Sequence, residues 1–122
     1  MNGLSGIATS ISLLLALSAS AAFAHCFLDH STPASGDMAV VPPARVVLFF
    51  DNPFNPDATT VRVLSQAGEQ VSGNPAASAD RRALTAPLKP VAPGQYFVKW
   101  RATSLDGDRT TGAYSFTVKA AQ

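Results

Sequence analysis

The chain is read as an all-β protein, a seven-stranded Greek-key β-sandwich of immunoglobulin-like shape in a cupredoxin-like arrangement, preceded by a cleaved signal peptide. Three observations predict it. Short apolar-alternating runs follow one another between clusters of Pro, Gly, Asn and Asp. No long stretch shows a helical period. Seven such runs fall in fewer than about 100 residues, the density expected of a sandwich.

The first 24 of the 122 residues stand apart. They contain no Lys, Arg, Asp or Glu, pass through the apolar run Ile11-Ser12-Leu13-Leu14-Leu15-Ala16-Leu17 and end in Ala22-Phe23-Ala24, an A-x-A peptidase site. The apolar run is too short for a permanent membrane span. Ser and Ala lie on every face of it, which argues against a buried amphipathic helix. Residues 1–24 are therefore expected to be a signal peptide and residues 25–122 the folded domain, with export to the periplasm and no membrane insertion after cleavage. His25 before Cys26 is not the small residue that a lipoprotein site requires.

The part from His25 onward holds all nine basic and all eight acidic residues, so its formal charge is +1. No basic stripe along the sequence points to nucleic acid or a membrane surface. Cys26 is the single cysteine. An intramolecular disulfide is thereby excluded, and packing must supply the stability.

In chain order, Cys26 to Ser31 is the first expected strand, with Cys26, Leu28 and His30 on one face and His25, Phe27 and Asp29 on the other. Thr32-Pro33-Ala34-Ser35-Gly36-Asp37 closes it as a turn. Pro42-Pro43 leads into Arg45-Val46-Val47-Leu48-Phe49-Phe50, the most β-prone run of the chain. Two prolines make residues 51–57 a loop. Thr59 to Leu64 alternates, Gln66-Ala67-Gly68-Glu69 turns, and Gln70 to Ser72 is a short return strand.

Residues 72–82, polar and rich in Gly, Pro and Ala, are expected to form an exposed loop. Arg82 to Leu88 is a strand with Leu84 and Leu88 inward, and Ala92-Pro93-Gly94 is a tight turn. The central strand follows, with Tyr96, Val98 and Trp100 on one face and Phe97, Lys99 and Arg101 on the other. Tyr114, Phe116 and Val118 form the last alternating set.

Between these two strands lies Ser104-Leu105-Asp106-Gly107-Asp108. Its two carboxylates, at i and i+2, share a face if the backbone is extended; as a turn, the Asp-Gly pair would leave them solvated. Cleavage after Ala24 would make His25 N-terminal, where its amine and imidazole Nδ1 can close a chelate ring on one metal. Cu(II) in tetragonal geometry favours such nitrogen donors and completes its plane with oxygens. Without metal, His25 is simply a frayed terminal residue.

Cys26 shares a face with Leu28 and reads as a small core residue. His30, five residues beyond His25, stands roughly 16 Å away in an extended strand. The two cannot share a metal unless the strand bends, and that spacing argues against a histidine-brace copper oxidase, which would need His30 as its second imidazole. With no Ser/His/Asp set, phosphate loop or CxxC pair, the sequence offers no enzyme signature.

Taken together, the pattern resembles the CopC-like periplasmic copper-binding proteins of bacterial copper resistance. The matching residues are His25 after the A-x-A site, Leu28, Ser31-Thr32-Pro33-Ala34-Ser35-Gly36, Pro43, Val47-Leu48-Phe49-Phe50, Leu88, Pro93-Gly94-Gln95-Tyr96, Val98-Lys99-Trp100-Arg101, Ser104-Leu105-Asp106-Gly107, Gly112 and Phe116-Thr117-Val118. They span residues 25–122 in order.

The resemblance implies Cu(II) held by the terminal amine and imidazole, the aspartate of an S-x-D-x-H motif and that motif's histidine. His25 and Asp106 match, whereas Asp108 stands where the motif has histidine. The acidic residue that many members carry after the Phe-rich strand has no counterpart in the pattern; Asp51 or Asn52 occupies that region. The Cu(I) site of methionine-bearing members does not carry over, since Met38 is the only methionine beyond residue 24. The expected metal residues are thus His25, Asp106 and Asp108.

A carboxylate in place of an imidazole is a harder donor and lowers the preference for copper. The implied function is non-catalytic copper binding and delivery in copper homeostasis and resistance. The implied partner is an inner-membrane copper transporter of the CopD type. The alternative is a metal-free interaction module on the same sandwich.

Overall fold

The computed structural model describes residues 25–121; the expected signal peptide lies outside the described residues. The architecture is all-β, in two four-stranded sheets. In chain order the strands are β1 Leu28–Thr32, β2 Met38–Ala39, β3 Arg45–Phe50, β4 Thr60–Ser65, β5 Ala76–Ala77, β6 Ala83–Pro87, β7 Gly94–Thr103 and β8 Arg109–Val118. A single 3₁₀ turn, Pro56–Ala58, is capped by Asn55, whose side chain accepts from the Asp57 N–H. One sheet runs β1-β3-β6-β5 and the other β2-β8-β7-β4. Among the described residues no helix is long and apolar enough to cross a membrane.

The two sheets bury the alternating positions on which the sequence insists. Val46, Leu48 and Phe50 of β3 and Leu84 and Ala86 of β6 point inward from one sheet. Val61 and Val63 of β4, Tyr96, Val98 and Ala102 of β7, and Phe116 and Val118 of β8 meet them from the other. Phe50 is the hinge of this core, edge-on to both Phe54 and Trp100 at ring separations of 5.4 and 5.6 Å. Such tilted contacts place ring edges against ring faces, the favoured electrostatic arrangement.

The strand count differs from the expected seven. Residues 70–72 form isolated bridges, Leu64 with Gln70 and Ser72 with Leu88, instead of a strand. The 72–82 loop contains β5, and β2 follows the first turn. Both added strands have two residues, too few for alternation to register, and each exists because a longer partner offers it an edge: β8 for β2, β6 for β5.

A second difference lies in β1. Its register against β3 shifts between Leu28 and His30, so one extra residue enters the strand and reverses the alternation beyond it. Cys26 and Leu28 face the core as expected, but His30 does not follow them. Its ring is exposed, stacks on Phe49 at 4.3 Å and bonds Asp29 Oδ2 at 2.7 Å.

Candidate metal centre

The centre is built where the start of the domain is clamped between two loops. The first loop follows β3. Its Asp51 accepts the Phe27 N–H on Oδ1 at 2.8 Å, and the Asp51 N–H donates to the Phe27 carbonyl at 3.0 Å. Asn52 Nδ2 donates to the His25 carbonyl at 3.0 Å, and the Cys26 thiol donates to the Pro53 carbonyl at 3.1 Å. From the opposite sheet Thr110 Oγ1 donates to the Cys26 carbonyl at 2.5 Å. Every residue from 25 to 27 is therefore held by a named partner, and the fraying expected of a domain's first residues is suppressed.

Within this clamp Cys26 is fully buried. His25 and Phe27 flank it on the outside, both exposed, their rings 5.4 Å apart. Burial raises the Cys26 pKa above its ordinary value of 9.0, and the carboxylates of Asp51 and Asp106 push it the same way. Low dielectric and adjacent negative charge both disfavour a thiolate. Cys26 is accordingly a core residue, as its pairing with Leu28 suggested.

A raised folded-state pKa gives a definite pH dependence. The folded state holds the proton more tightly than the unfolded chain, so this contribution is complete below pH 9.0 and is lost as pH climbs through the raised value. We expect the thiol to resist Ellman's reagent at pH 8 in the native protein and to react at once in 6 M guanidinium. Rapid reaction without denaturant would refute the burial.

The second loop joins β7 to β8 and carries the two aspartates. It is a tight turn, not the extended segment on which a shared carboxylate face depends. Buried Ser104 organises it: its N–H donates to the Asp108 carbonyl at 2.8 Å and its carbonyl accepts from the Gly107 N–H at 3.0 Å. Its Oγ donates to Asp106 Oδ1 at 2.7 Å and accepts from the Asp108 N–H at 3.0 Å. Gly107 sits at φ +94°, a conformation that L side chains avoid. The Asp106-Gly107 pair thus acts as turn chemistry, and the i, i+2 argument for a common face does not apply.

His25, Asp106 and Asp108 are all exposed. Asp106 bonds to Ser104 within its own loop and acts on the 25–27 segment through its charge, which helps raise the Cys26 pKa. Asp108 is tied to the loop through its backbone only. Among the described residues no three His, Cys, Asp or Glu side chains stand close enough to hold a metal ion. Beside them an open cleft of about 490 Å³ is lined by Asn52, Pro53, Arg82, Leu105 and Asp106.

A match to the CopC domain covers residues 28–119. The chain belongs to the CopC family. Asp106 and Asp108 lie inside the matched CopC region and His25 lies three residues before it. This CopC chain is 33% identical over 122 residues to copper resistance protein C of Xanthomonas campestris pv. juglandis, covering 93% of this chain and 95% of that protein.

Two solved structures share the fold. CopC from Methylosinus trichosporium OB3b superposes with a TM-score of 0.74 at 32% identity, over 78% of this chain and 94% of that one. PcoC, a methionine-rich copper resistance protein from Escherichia coli, gives 0.71 at 30% identity, over 79% and 100%.

Sequence reasoning gave no site role to Pro53 and Thr110 and named Asn52 only by its position after the Phe-rich strand; all three hold the 25–27 segment. Thr110 and Cys26 are 84 positions apart, and no local pattern couples them.

Proposed function

We propose that this CopC-family chain is a copper-binding and copper-delivery protein of copper homeostasis and resistance, without catalysis. It acts in the periplasm, after cleavage following Ala24, and takes Cu(II) as cargo. The observation that carries the reading is the clamp on residues 25–27. Side-chain bonds from Asn52, Asp51 and Thr110 hold the backbone of the segment that cleavage would make terminal, and the charge of Asp106 is felt within it at Cys26.

The donor set fits the ion in chemical type. The His25 amine and imidazole supply two nitrogens, and Asp106 supplies a carboxylate whose Oδ1 is already oriented by Ser104 Oγ. Nitrogen and oxygen donors suit tetragonal Cu(II), and a single imidazole with carboxylates makes a weaker, less selective site than one with two imidazoles. Asp108 is the substitute for the missing histidine. An inner-membrane transporter of the CopD type is the proposed recipient.

One observation favours a second reading. No three ligating side chains are gathered among the described residues, as would suit a metal-free interaction module that keeps the sandwich and has lost a full copper site. A Cu(II) titration of residues 25–122, followed by electron paramagnetic resonance, separates the two. We expect one equivalent with a tetragonal signal, weakened about tenfold by Asp106→Ala and abolished by one extra residue before His25, which removes the chelating amine. No stoichiometric signal would sink the copper reading.

A further inference from the structure

We propose that the outer face of the β4-β7-β8 sheet docks an extended, carboxylate-rich segment of a partner protein through Arg62, Lys99 and Arg101. This face is independent of the copper reading. Strands β2, β4, β7 and β8 contain no Asp or Glu, while β4, β7 and β8 carry four cations, although the whole chain is nearly neutral. The charge is therefore segregated, not merely abundant.

The arrangement is unfavourable for the isolated domain. Arg62 and Lys99 are directly opposite in the β4–β7 register, where like charges destabilise a sheet. Arg101 is two residues beyond Lys99 on the same face, about 7 Å along the strand. All three are exposed, and none forms an ion pair among the described residues. A carboxylate on this face would relieve a repulsion that the fold itself leaves uncompensated.

The shape selects the occupant. The three cations line one open groove of about 580 Å³, walled by residues 73–75 and lined also by Gln70. Three cations are few for a nucleic-acid backbone. An extended peptide presents alternate side chains about 7 Å apart on one face, the spacing of Lys99 and Arg101. Complementary charge of this kind gives orientation and rapid encounter more than raw affinity. The cations come from positions 62, 99 and 101, which is why no basic stripe is visible along the sequence.

The test titrates residues 25–122 with an acetylated (Glu-Thr)₅ peptide at low salt by isothermal titration calorimetry. We expect saturable binding that falls about tenfold in Lys99→Glu and is unchanged in Arg45→Glu, an equal charge change at the exposed first residue of β3 in the other sheet. Lys99→Glu should also raise Tm by about 2–5 °C, because it replaces a like-charge pair by an opposite one. That gain confirms the variant is folded and marks the native lysine as kept at the expense of stability.

Equal loss in Arg45→Glu, or no saturable binding, overturns the proposal. So does preferential, Lys99-dependent binding of inorganic phosphate or of phosphatidylglycerol vesicles. Self-association of the chain through Lys99, seen by sedimentation without peptide, would replace the partner by a second copy.

Discussion

Phe54→Ala is expected to lower the unfolding free energy by about 4 kcal/mol, the range of large-to-small changes at fully buried aromatic positions. Phe54 has no exposed surface and lies edge-on to Phe50. Its N–H donates to the Arg81 carbonyl at 2.8 Å, and it bridges to Ser104. Against a typical total of about 5–15 kcal/mol for a small domain, the loss is severe. The midpoint in thermal unfolding should fall by about 20 °C.

The effect should reach the 25–27 segment. Phe54 is the buried anchor of the loop in which Asp51, Asn52 and Pro53 grip residues 25–27. Amide exchange at Phe27, whose N–H is held by Asp51 Oδ1, should accelerate in the variant well below its melting point. A loss under about 1 kcal/mol, with unchanged exchange, would show that the loop is held without Phe54.

Gly112→Ala is expected to cost about 2 kcal/mol, an unusual penalty for one methyl group on a half-buried strand. Gly112 pairs with Trp100 across β7 and β8, and a Cβ there would lie 2.4 Å from Trp100 Cζ2 and 2.7 Å from Cε2. The indole cannot yield freely because its other contact is Phe50 in the core. Tryptophan emission should shift to the red as the ring is displaced toward water, and urea unfolding should show the lost stability.

Gly107→Ala is the control. There the added Cβ meets nothing within 4 Å, and only the backbone conformation at φ +94° opposes it. Its cost should be about 1 kcal/mol, with Trp100 emission unchanged. Equal emission shifts in the two variants would refute the packing explanation.

Much of this was legible in the residues. Arg45–Phe50 is a strand over the run its β-propensity marks, and Tyr96, Val98, Phe116 and Val118 are buried as their alternation demands. His30 is the instructive failure. Alternation projects it inward, and a single inserted residue between Leu28 and His30 reverses it. A bulge is a property of two strands together, so β1 alone cannot announce it.

For the candidate centre the residues name candidates, and the structure decides the shape of the loop that carries two of them. His25 and Asp106 stand out by position and chemistry, and the family match contains Asp106 and Asp108. The pair Asp106-Gly107 admitted both an extended and a turned backbone, and the Ser104 hydroxyl decides for the turn by serving Asp106 and Asp108 together. Burial of Cys26 followed from its neighbours, whereas its bonds to Pro53 and Thr110 needed the closed sandwich.

The Thr110 bond to the Cys26 carbonyl joins the two ends of the domain, and the β2–β8 pairing does so again. Contacts of such long sequence separation form slowly, because the intervening loop must be closed before they return any stabilisation. During synthesis the residues around His25 emerge early and meet Asp51, Asn52 and Pro53 once β3 follows, but the clamp stays incomplete until Thr110 of β8 is available. The fully clamped 25–27 segment is therefore among the last features the chain acquires, and its appearance in a refolding experiment would time the completion of the whole sandwich.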